Sequence, residues 1–170
     1  MDSSAGWGDR LIAAIACGAS YTGVDPSSCL APLYKKIIRI LAPSNESSYN
    51  VIGKPFEKVT KDELGKSDYD IAFTSPPFFD LEIYNDDDTQ SVIGHTTQKE
   101  WVHNFLNVLA DINIHYLKVN GHFVIYVPEY EEFMEYMRNR KDLEYCGEIV
   151  YYYTHDDKKK RKIMVWKKIS

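Results

Sequence analysis

Two stretches of the chain place apolar residues three and four apart, the spacing that builds one face of a helix. Leu33 to Leu41 (LYKKIIRIL) does so and should stop near Pro43. Gln98 to Leu117 carries Trp101, Phe105, Leu106, Leu109, Ile112 and Tyr116 on one broad face. It follows a Thr96-Thr97 cap, and its stop is expected near Asn120-Gly121. Asp9 to Cys17 and Glu131 to Arg140 read as shorter helices. Between them lie short apolar runs of strand character: Tyr21 to Val24, Tyr49 to Ile52, Tyr69 to Phe73, and residues 122–128 (HFVIYVP). From Leu143 to Lys168 two further strands flank a polar turn, HDDKKKR, and predict an antiparallel hairpin.

Strands that alternate with helices predict an α/β domain, a parallel sheet wound on both faces, with the hairpin as an antiparallel pair at one edge. A chain of 170 residues suits one domain with a sizeable core, so residues 1–170 are read as a single unit. With 44% hydrophobic and 26% charged residues the composition is that of a globular protein. No apolar run is long enough for a bilayer and no signal-peptide pattern opens the chain, so an intracellular protein is expected, in cytoplasm or nucleus. Cys17, Cys29 and Cys146 lack a CxxC spacing and read as reduced thiols. The five histidines are scattered, and no metal is expected.

Charge bears on partners. The net charge of −5 argues against a duplex held by this domain alone through a basic face. Acidic residues cluster at Asp86-Asp87-Asp88 and basic ones at Lys158 to Lys162, the latter most simply a solvated turn.

The residues that change the picture are at strand ends. Gly6 and Gly8 sit in a turn before the first helix, where glycines let backbone approach a ligand. Asp25 ends the following strand, about twenty residues on, the spacing at which an acid takes the ribose hydroxyls of an adenosine. Thr74-Ser75-Pro76-Pro77-Phe78 then ends the strand that begins at Tyr69; two prolines cannot donate to a ladder, so the backbone there is fixed just past the sheet.

In that order, "DSSAGWGDRL", "GVDP" and "TSPPFF" resemble the motifs of the class I S-adenosylmethionine-dependent methyltransferases, in the branch that methylates exocyclic amino groups of nucleic-acid bases. The resemblance covers nearly the whole chain. It implies a Rossmann-like fold, S-adenosylmethionine as cofactor and DNA or RNA as substrate. It assigns Ser75, Pro76, Pro77 and Phe78 to catalysis and to stacking on the target base. The cofactor would meet Asp2, Ser4, Ala5, Gly6, Gly8, Asp25, Phe56, Glu57 and Thr74, with Asp9 or Arg10 at its charged ends. Asp80 to Thr97 is either a lid over the substrate or a plain surface loop, and the tyrosines at 151–153 are expected to pack.

The chain departs from the family pattern in two places. The family has a full central strand before its glycine motif, and only Met1 precedes Asp2, so that strand is expected to be missing or truncated. The chain then reads as part of a longer polypeptide, with neighbouring strands left unpaired. No target-recognition domain lies between the motifs or after the last strand, so another region or further domain, a partner chain or the long Asp80–Thr97 loop would supply base specificity. Ser75 leans toward cytosine-N4 enzymes. Two alternatives stay open: N-methylation of a protein glutamine, and a non-catalytic methyltransferase-like binding subunit.

Overall fold

The computed structural model describes residues 1–65, 68–79, 95–152 and 160–170, with the side chains of 151, 152 and 160 set aside. Asp86–Asp88, nearly all of the Asp80–Thr97 stretch, Tyr153 and Lys158-Lys159 lie outside the described residues, as do the side chains of Tyr151 and Tyr152. Among the described residues, six α-helices and six strands follow one another: α1 Asp9–Ala16, β1 Tyr21–Val24, α2 Ala31–Leu41, β2 Tyr49–Ile52, α3 Lys61–Leu64, β3 Tyr69–Thr74, α4 Gln98–Trp101, α5 Asn107–His115, β4 Leu117–Ile125, α6 Glu131–Arg138, β5 Leu143–Tyr152 and β6 Lys160–Lys168.

β1 pairs with β2 in parallel, and β3 with β4 in parallel. β6 then runs antiparallel to both β4 and β5, giving the order β3-β4-β6-β5 with the expected hairpin at the edge.

The central strand, expected to be missing or truncated, is truncated, and its neighbours are not left wholly unpaired. Met1 to Ser3 occupy its place and join the two sheets. The Asp2 N–H donates to the Thr22 carbonyl at 2.9 Å, and the Val24 N–H donates to the Asp2 carbonyl at 2.8 Å. On the other side the Met1 amino group donates to the Ile71 carbonyl at 2.8 Å and the Phe73 N–H to the Met1 carbonyl at 2.9 Å. Three residues therefore satisfy backbone groups on the C-terminal halves of both neighbours, the halves that carry Asp25 and Ser75 at their ends.

The helices divide between two cores. Leu11, Tyr34 and Ile38 of α1 and α2 pack with Tyr21 and Tyr49 of the first two strands. The larger core joins the helical run of residues 98–115 and α6 to Ala72, Phe123, Ile125, Met164 and Trp166 on the other strands. The reverse face of those strands is more open among the described residues, with Ile71 52% and Ile149 55% exposed.

The long helix begins where its cap predicts. Thr97 Oγ1 accepts from the Glu100 N–H, and the Glu100 carboxylate accepts from the Thr96 and Thr97 N–H groups, which satisfies orphan donors at both ends of the turn. Inside it, Val102–Leu106 forms a π turn. Its stop comes earlier than the apolar spacing suggests. Tyr116 is the C-cap, Leu117 already opens β4, and Asn120 takes a positive φ of 69° in a bulge. Lys168 from β6 holds that end by donating to the carbonyls of Ile114, His115 and Leu117 at 3.0, 3.3 and 2.9 Å, a cation where the helix dipole is negative.

Candidate active site at the C-terminal ends of the central strands

Parallel strands that share a direction bring their C-terminal ends to one side, and the loops after Ser3, Val24, Ile52 and Thr74 meet there. They enclose a cleft of about 250 Å³. Of the residues singled out in the sequence, Ser4, Gly6, Asp25, Phe56, Glu57, Ser75 and Pro77 line it. Asp2, Ala5, Gly8, Thr74, Pro76 and Phe78 do not.

The glycine loop is held from three directions. Gly6 and Gly8 take φ of 57° and 91°, which L side chains rarely adopt, and a Cβ on Gly8 would come within 3.1 Å of Ile37. The Gly6 N–H donates to Asp25 Oδ2 at 2.8 Å, and the Tyr34 hydroxyl donates to the Gly6 carbonyl at 2.5 Å. Asp25 Oδ1 accepts from the Ser27 N–H at 2.9 Å. Burial pushes the Asp25 carboxyl above its ordinary range, although the two backbone donors pull the other way. The acid and the glycine loop are thus one hydrogen-bonded unit, and each Asp25 oxygen retains a second lone pair.

Asp2 lies below that unit rather than in the cleft. It is 1% exposed, accepts from Arg10 Nε at 2.7 Å and from the Tyr21 hydroxyl at 2.7 Å, and caps the Ser4 N–H at 3.1 Å. Arg10 also donates to the Ser4 carbonyl and sits over the Phe73 ring. Arg10 therefore faces Asp2, and Asp9, exposed at the start of α1, does not line the cleft either. Burial drives the Tyr21 phenol far up, reinforced by the Asp2 charge, so it remains a donor.

A second polar chain runs beneath the Thr74-Ser75 turn. Asn113 of α5 donates through Nδ2 to Ser3 Oγ at 3.0 Å and to the Leu109 carbonyl at 2.7 Å, and Ser3 Oγ donates to Thr74 Oγ1 at 3.0 Å. Thr74 also accepts the Tyr126 N–H at 3.1 Å through its carbonyl. Thr74 is wholly buried and Pro76 buried, so the turn that presents Ser75 and Pro77 is anchored on both sides.

Several cleft residues were not singled out. Leu30, Phe105 and Leu109 form apolar walls, Phe105 from within the π turn, the kind of helical irregularity often found at functional sites. Their apolar spacing looks the same as that of core residues. Ser27 and Cys29 follow Asp25, and Trp7, 74% exposed between the two glycines, stands at the rim. A tryptophan set between two glycines was the signal the sequence offered.

No family model matches the chain, and no curated protein matches it. Solved structures do. An rRNA methylase from Streptococcus thermophilus superposes with a TM-score of 0.62 at 14% identity, over 99% of this chain and 85% of the other. A methyltransferase-like protein from Streptococcus mutans, in complex with SAH, gives 0.59 at 11% identity, over 99% and 86%. The METTL16 MTase domain gives 0.60 at 14% identity, over 98% and 71%. At these identities the likeness is one of fold: this chain has the Rossmann-like α/β fold of those methyltransferase structures.

Proposed function

We propose that this chain uses S-adenosylmethionine to methylate an exocyclic amino group of a base in DNA or RNA. One observation carries the reading. Ser75 and Pro77 of the Ser-Pro-Pro-Phe turn open onto the same cleft as the glycine loop closed by Asp25. The methyltransferase neighbours, one of them with SAH, support it. The cleft suits such a cofactor chemically. Asp25 offers acceptors for ribose hydroxyls, the Ser4–Gly8 loop offers close backbone, and Phe56 and Leu30 offer apolar walls for an adenine.

Bound S-adenosylmethionine supplies a methyl group already activated on a sulfonium, so neither a metal nor a covalent enzyme intermediate is required. The chain's own task is to position and polarise. An aromatic amine is a weak nucleophile because its lone pair is delocalised into the ring. Ser75 Oγ, which opens onto the cleft, accepts an amine hydrogen and favours the pyramidal geometry of attack. The proline pair fixes the backbone that follows Ser75 in advance, which leaves little ordering for the reaction step. A base within a duplex would be flipped out to reach Ser75.

The test is transfer of a labelled methyl group to RNA, DNA and protein substrates, beside calorimetry with S-adenosylhomocysteine. Label in nucleic acid is expected. Label in protein glutamine, or cofactor binding with no transfer to any substrate, would overturn the reading.

The Asp25 assignment predicts a pH dependence. The ionised carboxylate accepts ribose hydroxyls best, and its raised protonation range means it loses charge at a higher pH than an ordinary aspartate. Cofactor affinity should therefore hold near neutral pH and fall as pH drops through that raised range. Asp25→Asn should bind more weakly, by about 1–3 kcal/mol, and should lose that acid limb. A wild-type affinity that stays flat from neutral pH down to the ordinary aspartate range would contradict the assignment.

A further inference from the structure

We propose, on the methyl-transfer reading above, that Asn113 of α5 is a positioning residue that aims Ser75 by way of Ser3 and Thr74.

The three side chains form a hydrogen-bonded chain whose direction is fixed at one end. Asn113 Nδ2 uses both of its hydrogens, one on the Leu109 carbonyl at 2.7 Å and one on Ser3 Oγ at 3.0 Å. A flipped amide would turn its oxygen toward that carbonyl, so the helix backbone keeps Asn113 a donor toward Ser3. Ser3 Oγ, already an acceptor, passes its own hydrogen to Thr74 Oγ1 at 3.0 Å. The chain thus runs from α5 through the N-terminal segment to the last residue of β3, and both Leu109 and Ser3 line the cleft.

The backbone of the turn leaves few torsions to control. Ser75 precedes a proline, which confines it to extended conformations, and Pro76 and Pro77 have fixed φ. The direction of Ser75 therefore depends on how Thr74 is held. Toward β4 the Thr74 carbonyl accepts from the Tyr126 N–H at 3.1 Å. Toward the N-terminal segment the last backbone tie is the Phe73 N–H to the Met1 carbonyl at 2.9 Å. Beyond it, among the described residues, the Ser3–Thr74 hydroxyl pair holds the turn on that side.

Stability alone gives no reason for an asparagine at this position. Asn113 is wholly buried, and its Oδ1 has no hydrogen-bond partner among the described residues. An unsatisfied buried acceptor is costly, and asparagine is a poorer helix former than leucine. Leucine has the same branching with neither cost. What the amide adds is the hydrogen donated to Ser3.

The test measures single-turnover transfer of a labelled methyl group to single-stranded RNA and DNA of mixed sequence. Asn113→Leu, Ser3→Ala and Thr74→Val should each lower the rate constant about tenfold, with S-adenosylhomocysteine affinity and melting temperature near the wild type. Ser3→Ala and Thr74→Val break the same chain outside the helix, so an Asn113→Leu protein that failed to fold would leave the test intact. Thr74→Ser, which keeps the hydroxyl, should recover the rate. In a Ser75→Ala background, Asn113→Leu should cause no further loss. The NMR order parameter of the Ser75 amide should fall from about 0.85 toward about 0.6 in Asn113→Leu, while those of Gly6 and Asp25 hold. If the wild type transfers no methyl group, the functional reading falls and the order parameters alone decide whether Asn113 fixes the turn. If the wild type transfers methyl and the three variants are equally fast, only the positioning role falls. An equal loss in the Ser75→Ala background, or a loss matched by lower cofactor affinity and melting temperature, would make Asn113 a structural residue and overturn the proposal.

Discussion

Replacement of Asp2 by alanine should destabilise the fold by about 2–4 kcal/mol and weaken the cofactor together with it. Asp2 is the junction of the N-terminal half: its backbone bridges toward β1 while its side chain collects Arg10, Tyr21 and the Ser4 N–H. Removal of the carboxylate leaves a buried phenol without its acceptor and a guanidinium facing a void. The estimate stays below the upper end for a fully buried pair because Arg10 keeps 24% of its side chain exposed. For a chain of this size it corresponds to a fall in melting temperature of about 5–15 °C. Asp2→Asn keeps the shape and some acceptor capacity, so its loss should be smaller. Equal melting temperatures for wild type and Asp2→Ala would show that the network contributes nothing net.

The prediction illustrates what the sequence did and did not disclose. That Asp25 and the glycine turn share one end of the sheet was legible from an acid at a strand end some twenty residues after paired glycines, whereas the Gly6 N–H closing on its carboxylate was not. The C-terminal hairpin was legible from its two apolar runs and polar turn, and the long helix from its capping box. The role of Asp2 was not. Its partners stand eight and nineteen residues away, and only the turn of α1 back over β1 brings them together.

Other features were hidden for different reasons. Met1 to Ser3 are too few to show a period, yet they pair with strands on both sides. The end of α5 was misplaced because Tyr116 and Leu117 continue the apolar spacing of the helix, whereas the bulge at Asn120 lets Leu117 open a strand. Leu30, Phe105 and Leu109 obey the same pattern whether they line a cleft or fill a core, so periodicity alone could not separate those uses. Phe78 is the converse case. It was assigned to stacking on the target base, but it packs beside the cleft against Tyr126, and Ser75 and Pro77 are the members of the turn that face the opening.

Ser75→Ala should lower turnover by about a hundredfold or more while cofactor affinity and stability remain near the wild-type values. The reason lies in when its hydrogen bond matters. An acceptor on the amine hydrogen gains strength as the nitrogen pyramidalises, so its contribution of about 2–4 kcal/mol is realised in the transition state and not in the ground state. Stability should be spared because the turn is anchored by other groups: Thr74 through Ser3 and Tyr126, and Pro76 through its own burial. Single-turnover kinetics beside thermal melts separate the possibilities. A fall in rate constant with an unchanged melting temperature and unchanged S-adenosylhomocysteine affinity is the expected outcome. A loss confined to substrate affinity would make Ser75 a binding residue, and an unaffected rate would remove it from the chemistry. The serine also separates the reaction from the fold, since the solved structures share the sheet at identities of 11–14% and the shared sheet alone does not specify what this side chain does.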